Sequence, residues 1–376
     1  MEFRIKYFLK MKIVFLTNSI GFGGAEKMMA FVANSLCKRN HNVRIINFNS
    51  VAEEINSSLQ VFDSRVHVLS YSGVKNGQIA RLKKLAFAFK NISKDNAEVI
   101  IGFTAFPNYV GRIVGSLKGI PSIMSERGNP YITIDKNNLH SRLELAIINK
   151  SIGGVFQIAG AKAFYGEKLQ ERSIIIPNPI FIKEPINFVP YENREKTIVS
   201  VGRLDNYQKR YDIMIKAFSL FVKKHSDWRL KLYGDGSDVE KIKGWITEEG
   251  IDEKVSLMGV TKNPMRDIST DGMFLITSDF EGISNSLLEA MAIGMPCVST
   301  DSTPGGARML IQDGINGLLA PIGDPKSIAS AMCKFVENPR LAKSCGNNAR
   351  DVINRFDADK LINCWEDYIK KIVNTY

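Results

Sequence analysis

The sequence predicts an α/β fold of two doubly wound, Rossmann-like domains with a cleft between them as the expected site. Three observations carry this. Short apolar strands alternate with helical periodicity from end to end, a charged, proline-bearing segment interrupts them near 181–196, and the alternation then restarts. Apolar runs separated by helices belong to a parallel sheet covered on both faces. A chain of 376 residues also exceeds what one hydrophobic core sustains. The expected boundaries are 1–184 for the first domain, 185–196 for the linker and 197–356 for the second domain.

In order, the first strand is expected at KIVFLT (12–17), directly after Met11. Residues 1–10 read as an extension ahead of the fold, basic but without the small-residue cleavage site of a signal peptide. GFGGAE (21–26) follows, where Gly23 and Gly24 allow close backbone approach at the start of a helix over 25–39. Its spacing is not the G-x-G-x-x-G of dinucleotide folds. Further strands are expected at 43–48, 98–103, 121–126, 154–159 and 173–178. After the linker come 197–202, 229–234, 254–259, 272–277 and 296–300, then one closing helix from Phe356 to Tyr376.

Composition excludes several classes. An apolar fraction of 44% with 24% charged residues is that of a globular protein rather than a disordered one. The cysteines are Cys37, Cys297, Cys333, Cys345 and Cys364, an odd number with no C-x-x-C pair. They read as free thiols in a reducing compartment, not as a zinc site or a disulfide framework. No apolar run reaches the roughly 18 residues needed to span a bilayer. The net charge of +11 is uneven: residues 1–184 hold 25 Lys and Arg against 13 Asp and Glu, the remainder 25 against 26. An anionic partner is expected for the first half, or simply a basic surface.

Three stretches bear chemistry. In VGRLDNYQKRYD (201–212), Arg203 and Lys209 follow a strand's carboxyl end, a place suited to a diphosphate or to a solvated basic turn. In DFEGISNSLLEAMAIGMPCVST (279–300), Glu281 and Glu289 bracket a helix start that Ser284 or Asn285 can cap. Amides of residues 284–286 would face an anion there, with carboxylates suited to sugar hydroxyls beside them. The alternative is a capped helix with one Glu on its solvent face. Finally, QIARLKKLAFAFKNI (78–92) places Ile79, Leu82, Leu85, Ala86 and Phe89 on one stripe flanked by Arg81, Lys83, Lys84 and Lys90. Such a helix either lies in an anionic membrane interface or packs on the sheet through that stripe. No aromatic–basic interleaving points to nucleic acid.

The E-x7-E spacing preceded by G-R-L-x5-K resembles the family-4 retaining glycosyltransferases of the GT-B fold. GGAE, PNP (177–179), GDG (234–236) and DGINGLL (313–319) fall in that family's order across nearly the whole chain. SERGNP (125–130) and TPGGAR (303–308) are similar to relatives that extend capsular polysaccharide, O-antigen or lipid-linked glycans. The resemblance implies that residues 1–184, joined by about 357–376 of a helix crossing back, form an acceptor domain, and that 197–356 form a donor domain. It implies transfer of a hexose or N-acetylhexosamine from a nucleotide-sugar, UDP rather than GDP, to a saccharide or polyprenyl-diphosphate-linked acceptor. No cofactor and no metal are implied. Arg203 and Lys209 would hold the diphosphate, Glu289 the ribose, Glu281 the sugar, Gly282 and Ser284 to Ser286 the phosphates, and Gly259, Val260 and Thr261 the base. Gly23 and Gly24 would approach the diphosphate from the other domain.

Two departures stand out. Relatives often carry a histidine where this chain has Glu126 and Arg127, and its four histidines (His41, His67, His140, His225) lie elsewhere. Glu126 becomes a candidate for catalysis, and both residues become acceptor-side candidates. Arg210 replaces a glycine that often follows the lysine, either as a phosphate contact or facing solvent. The resemblance further implies a cytoplasmic protein, peripheral on the inner face of the membrane. A sugar-nucleotide epimerase, a phosphorylase and a non-catalytic nucleotide-sugar-binding partner are the alternatives.

Overall fold

The computed structural model describes residues 10–21, 24–49, 62–74, 76–182, 185 and 188–376. The chain divides into two compact units, Met1–Ile176 with Asp359–Tyr376, and Pro177–Ala358.

The first unit is built on β1 (Lys12–Thr17), β2 (Asn42–Asn47), β3 (His67–Ser70), β4 (Val99–Phe103), β5 (Ser122–Glu126), β6 (Gly153–Phe156) and β7 (Ile174–Ile175). Their order is β3-β2-β1-β4-β5-β6-β7, every neighbour parallel. The central strands β4, β5 and β6 are buried throughout, as apolar runs covered on both faces must be. The second unit holds β8 (Thr197–Val201), β9 (Arg229–Tyr233), β10 (Val255–Gly259), β11 (Met273–Ile276), β12 (Cys297–Thr300) and β13 (Leu318–Ala320). Their order is β10-β9-β8-β11-β12-β13, again all parallel. Strand order reverses between β1 and β4 and between β8 and β11. Those switch points are where doubly wound sheets open a crevice beyond the strand ends.

Each expected strand is present, and among the described residues two further strands are ones the sequence does not predict. β3 is a short edge strand, largely half-exposed, whose HVLS lacks a run long enough to read. β13 lies inside DGINGLL, where the turn signal hides it.

The closing helix Ala358–Thr375 is set on the first unit by a tight group of contacts. Trp365 is fully buried and stacks on Phe103 with centroids 6.0 Å apart. The Tyr368 hydroxyl accepts from Gly154 N at 2.9 Å, and a Cβ on Gly153 would come within 2.1 Å of that oxygen. Glu366, buried, meets Arg39 at 2.6 Å, His41 Nε2 at 3.2 Å and Lys370. His41 Nδ1 accepts from Met11 N at 3.1 Å, so the ring proton is on Nε2 and is donated to Glu366. Among the described residues, no helix is long and apolar enough to cross a membrane.

Burial alone would raise the Glu366 pKa, but hydrogen bonds from Lys370, Arg39 and His41 prevail and bring it to about 2. Burial, partly offset by Glu366, lowers that of His41. Both shifts have one sign: the unfolded chain takes up protons that the folded unit refuses, so stability falls as pH falls. The His41 contribution is lost below its ordinary value of about 6.5, and that of Glu366 between about 4.5 and about 2. Glu366→Gln should therefore lower the unfolding midpoint at neutral pH and flatten its decline from pH ~5 to ~2. The cost at pH 7 should be about 2 kcal/mol, since Arg39 and Lys370 retain some access to water. Parallel pH profiles of the two proteins would refute this account.

Candidate donor-binding site

The site in the second unit begins where β8 ends. Gly202 N donates to Tyr233 O at 3.0 Å and Leu204 N to Asp235 O at 2.9 Å, tying GRL to the GDG turn after β9. The approach is close because side chains are missing: a Cβ on Gly234 would lie 1.8 Å from Gly202 O, and one on Gly236 2.3 Å from Leu204 O. Buried Leu204 anchors the loop and leaves Arg203 outside, 64% exposed, 3.3 Å from Asp205.

Asp205 caps the single turn Asn206–Lys209 through Tyr207 N at 3.0 Å, which sends Lys209 back toward β11. There Thr277, buried at the strand's end, donates to the carbonyls of Lys209 and Arg210 at 2.9 and 3.1 Å. Asp279 N donates to Gln208 O at 3.1 Å and Gln208 Nε2 to Phe280 O at 3.0 Å. Lys209 Nζ thus meets Glu281 Oε1 in an ion pair that is mostly shielded from water, with Ser278 Oγ donating to the same oxygen at 3.2 Å. Glu281 N donates to Thr303 O at 2.8 Å, and a Cβ on Gly306 would stand 1.4 Å from Gly282 O.

Beyond Glu281 begins the helix Asn285–Ala292. Ser284 caps it, accepting from Leu287 N at 3.4 Å, and lies 3.2 Å from Ser286 Oγ. Asn285 Oδ1 accepts from Asn178 Nδ2 at 3.2 Å, which brings the PNP motif to the helix start. Glu289, half-buried, stands one turn further along. Gly259 ends β10 at φ 72°, and its carbonyl accepts from Gly234 N at 2.8 Å. Val260 beyond it is exposed, and Thr261 donates to Asp267 at 2.6 Å. The structure thus gathers Arg203, Lys209, Glu281, Gly282, Ser284, Asn285 and Ser286 at the switch point between β8 and β11, with Gly259 linked through the GDG turn.

In the first unit, Gly24 opens the helix Gly24–Lys38, while Gly23 lies outside the described residues. Glu126 is buried at the end of β5. Its Oε1 accepts from the amides of Arg127 and Gly128, both at 3.0 Å, and its Oε2 from Tyr165 Oη at 2.7 Å. Arg127 stands over the rings of Trp365 and Phe103, 5.1 and 5.7 Å from their centroids. It donates to Ser125 Oγ at 3.0 Å and Ile176 O at 2.9 Å. Burial, opposed by Glu126, lowers its pKa to about 9, so it stays charged at neutral pH.

The sequence leaves Arg210 between phosphate contact and solvent, and the structure gives a third role. Its guanidinium is bidentate on Asp212 (3.0 and 2.9 Å) and reaches Asp279 at 2.6 Å. The hydrogen-bonding residues Gln208, Asp279 and Thr277, which hold these loops together, carry no motif signal of their own. Among the described residues, the group of potential metal ligands with atoms within 4.8 Å of one another is His225, Cys333 and Glu337. His225 lies between the helix Tyr211–Val222 and β9, and Cys333 and Glu337 lie on the helix Pro325–Glu337, away from the loops gathered at the switch point.

Arg210 adopts φ 53°, ψ 54°, a left-handed conformation that suits glycine. Arg210→Ala removes the clamp and keeps the strain, whereas Arg210→Gly removes both. The glycine variant should be the more stable of the two by about 1 kcal/mol in denaturant titrations. The reverse order would show that the backbone is unstrained.

Residues 183–352 match the family described as glycosyl transferases group 1. An uncharacterized glycosyltransferase of Haemophilus influenzae is 26% identical over 360 residues, covering 94% of this chain and 99% of its own. The N-acetylgalactosamine-N,N'-diacetylbacillosaminyl-diphospho-undecaprenol 4-alpha-N-acetylgalactosaminyltransferase of Campylobacter jejuni is 27% identical over 361 residues, covering 91% and 95%. Anabaena HepE in complex with UDP and glucose superposes with a TM-score of 0.79 at 20% identity, over 96% of this chain and all of that one. Two parallel-sheet units, the E-x7-E helix start and these likenesses agree: the chain is a glycosyltransferase of the GT-B fold, and its second unit carries the glycosyl transferases group 1 domain.

Proposed function

We propose that the chain transfers a hexose or N-acetylhexosamine from a UDP-sugar to a saccharide or polyprenyl-diphosphate-linked saccharide in cell-surface polysaccharide synthesis, with retention of configuration and without a metal. The observation that carries this is the Lys209–Glu281 pair beside the capped N-terminus of the helix Asn285–Ala292, with Arg203 exposed at the same switch point. Departure of a nucleoside diphosphate builds negative charge on its phosphate oxygens while the sugar becomes oxocarbenium-like. Fixed cations and amides aimed at those oxygens lower that barrier. Arg203 and Lys209 supply the cations, and the amides of Gly282 and Ser284 to Ser286 supply the donors at a helix start. With two cations and a helix terminus at the diphosphate, no metal is called for.

Glu281 then serves the donor sugar, Glu289 the ribose hydroxyls, and Gly259, Val260 and Thr261 the base. Gly23 and Gly24 approach the diphosphate. Glu281 positions the sugar and the acceptor attacks from the leaving-group face, which gives retention without a protein nucleophile. On the acceptor side we assign Glu126 and Arg127, with Glu126 acting through the SERGNP turn that it holds. The UDP of the Anabaena structure and the diphospho-undecaprenol in the Campylobacter relative's name support the choice of donor and acceptor. The basic first half supports work at the inner face of the cytoplasmic membrane. Epimerase, phosphorylase and non-catalytic readings are not favoured, since the relatives reported are named as transferases.

Lys209→Ala and Glu281→Ala should each lower UDP-sugar turnover by about 10²–10³. Wild-type rates in both would place the donor site elsewhere. Turnover should persist in EDTA, and NMR of the product should show the donor's anomeric configuration. An inverted product, or activity restored only by a divalent ion, would remove that part of the proposal. UDP should raise the unfolding midpoint more than GDP at equal concentration.

A further inference from the structure

We propose that His225, Cys333 and Glu337 form a zinc-binding site that clasps the segment ahead of β9 to the helix Pro325–Glu337. A ring nitrogen, the thiol sulfur and a carboxylate oxygen lie within 4.8 Å of one another. Two elements of the second unit bring them together. Cys333 and Glu337 are one turn apart on the helix Pro325–Glu337, so both side chains leave the same face. His225 follows the helix Tyr211–Val222, its amide donating back to Phe221 O at 3.2 Å. Its ring lies 5.0 Å from that of Phe221, which meets Trp228 edge-on at 5.8 Å. Phe221, Trp228 and Cys333 belong to one hydrophobic core. The imidazole and the thiol are therefore positioned by packing before any ion arrives.

This arrangement leaves a polar atom without an answer. His225 Nε2 is shielded from solvent and has no hydrogen-bond partner among the described residues. Glu337 Oε1 faces it at 3.7 Å, beyond hydrogen-bond length. A buried nitrogen left unpaired is costly, so the gap calls for an explanation. Ligand atoms on a tetrahedral zinc stand about 3.3–3.6 Å apart, given bonds of about 2.0–2.3 Å. The histidine–glutamate spacing is already close to that. Glu337, with its side chain 60% exposed, is free to swing in and close the remaining distances.

Donor chemistry selects the ion. An imidazole, a thiolate and a carboxylate suit zinc, whereas calcium and magnesium are held by oxygen alone. Three protein ligands leave the fourth position to water. Without metal, burial and then Glu337 keep the Cys333 thiol protonated, with Lys224 opposing them. On binding, the thiol releases its proton to solvent and coordinates as thiolate. The ion so held fastens the start of β9, the strand that leads to the GDG turn, and stands away from the loops at the switch point. Its role is structural, and the inference is independent of the donor reading and of metal-free transfer. No C-x-x-C pair announces the site, because His225 is distant from Cys333 in sequence.

The test uses the untagged full chain, stripped with EDTA and dialysed, in a Cys364→Ser background that removes the exposed thiol. Zinc should bind at about one equivalent in competition with a chromophoric chelator and should raise the unfolding midpoint. Cobalt(II) in its place should give a thiolate-to-metal charge-transfer band. Cys333→Ala should abolish that band, and Cys333→Ala and Glu337→Ala should each weaken zinc about tenfold or more. Glu337→Ala guards against a folding artefact, since its exposed side chain leaves the metal-free midpoint as in the parent. Failure to bind zinc overturns the proposal, as does a cobalt spectrum without the thiolate band. Unchanged zinc affinity in either variant overturns it too. The UDP-induced shift should be the same with and without zinc; a shift lost on stripping the metal would contradict a structural role.

Discussion

Main chain lying directly against main chain is the constraint on which the donor site depends. Gly234 rests on the carbonyl of Gly202, Gly236 on that of Leu204, and Gly306 on that of Gly282, each where a Cβ would overlap the oxygen. These contacts draw the loops after β8, β9, β11 and β12 to one place. A side chain at any of the three would have to push two loops apart, in an interior packed too densely to yield freely. The residues with chemistry to perform are thus placed by residues with none. Arg203 and Lys209 sit where they do because GDG lets GRL lie flat upon it, and Glu281 because TPGGAR leaves room behind Gly282.

Once the loops are fixed, the cations differ in how freely each can meet an anion. Arg210 is held by Asp212 and Asp279, which raise its pKa, so its charge serves the loop. Among the described residues, Lys209 is held by Glu281 alone among carboxylates, in a pair that water scarcely reaches. Arg203 is exposed, with Asp205 and Gln208 at longer range. A diphosphate entering at the start of the helix Asn285–Ala292 would recruit Arg203 at little cost and compete with Glu281 for Lys209. Glu281 would then be released toward the sugar as its partner turns to phosphate. The ion pair is also what keeps Lys209 aimed, since a lone ammonium on a four-carbon stem is poorly ordered.

Much of this architecture is legible in the amino-acid sequence. Apolar runs such as EVIIGF (98–103) and GMFLIT (272–277) announce buried parallel strands, because only a sheet covered on both faces tolerates them. Ser284 can be read as a cap because its hydroxyl precedes an apolar periodicity. The legible features are local ones. His67–Ser70 escapes notice because an edge strand needs no apolar run, and Leu318–Ala320 because three residues within a turn motif leave no period to detect. The role of Arg210 is illegible for another reason: its partner Asp279 is distant in sequence and meets it only once β8 and β11 are neighbours. The helix Gln78–Asn91 misleads in a third way. Its apolar stripe is evident, but the stripe is split: Leu85 packs on the core, while Ile79, Leu82 and Phe89 are exposed.

In the SERGNP turn, the carboxylate and the guanidinium are both held by their neighbours. The Glu126 carboxylate is ringed by two amides and the Tyr165 hydroxyl, whose pKa is driven well above its ordinary value by burial and then by Glu126 itself. A carboxylate so engaged shapes the turn. Arg127 is held beside the stacked Phe103 and Trp365 rings, with Ile176 O and Ser125 Oγ as acceptors. Trp365 belongs to the closing helix, which Glu366 fastens one residue later to Arg39 and His41. The end of the chain therefore forms one wall of the turn at residues 125–130. The Arg127 guanidinium is thus set in place by the stacked Trp365 and Phe103 rings, and so by the closing helix.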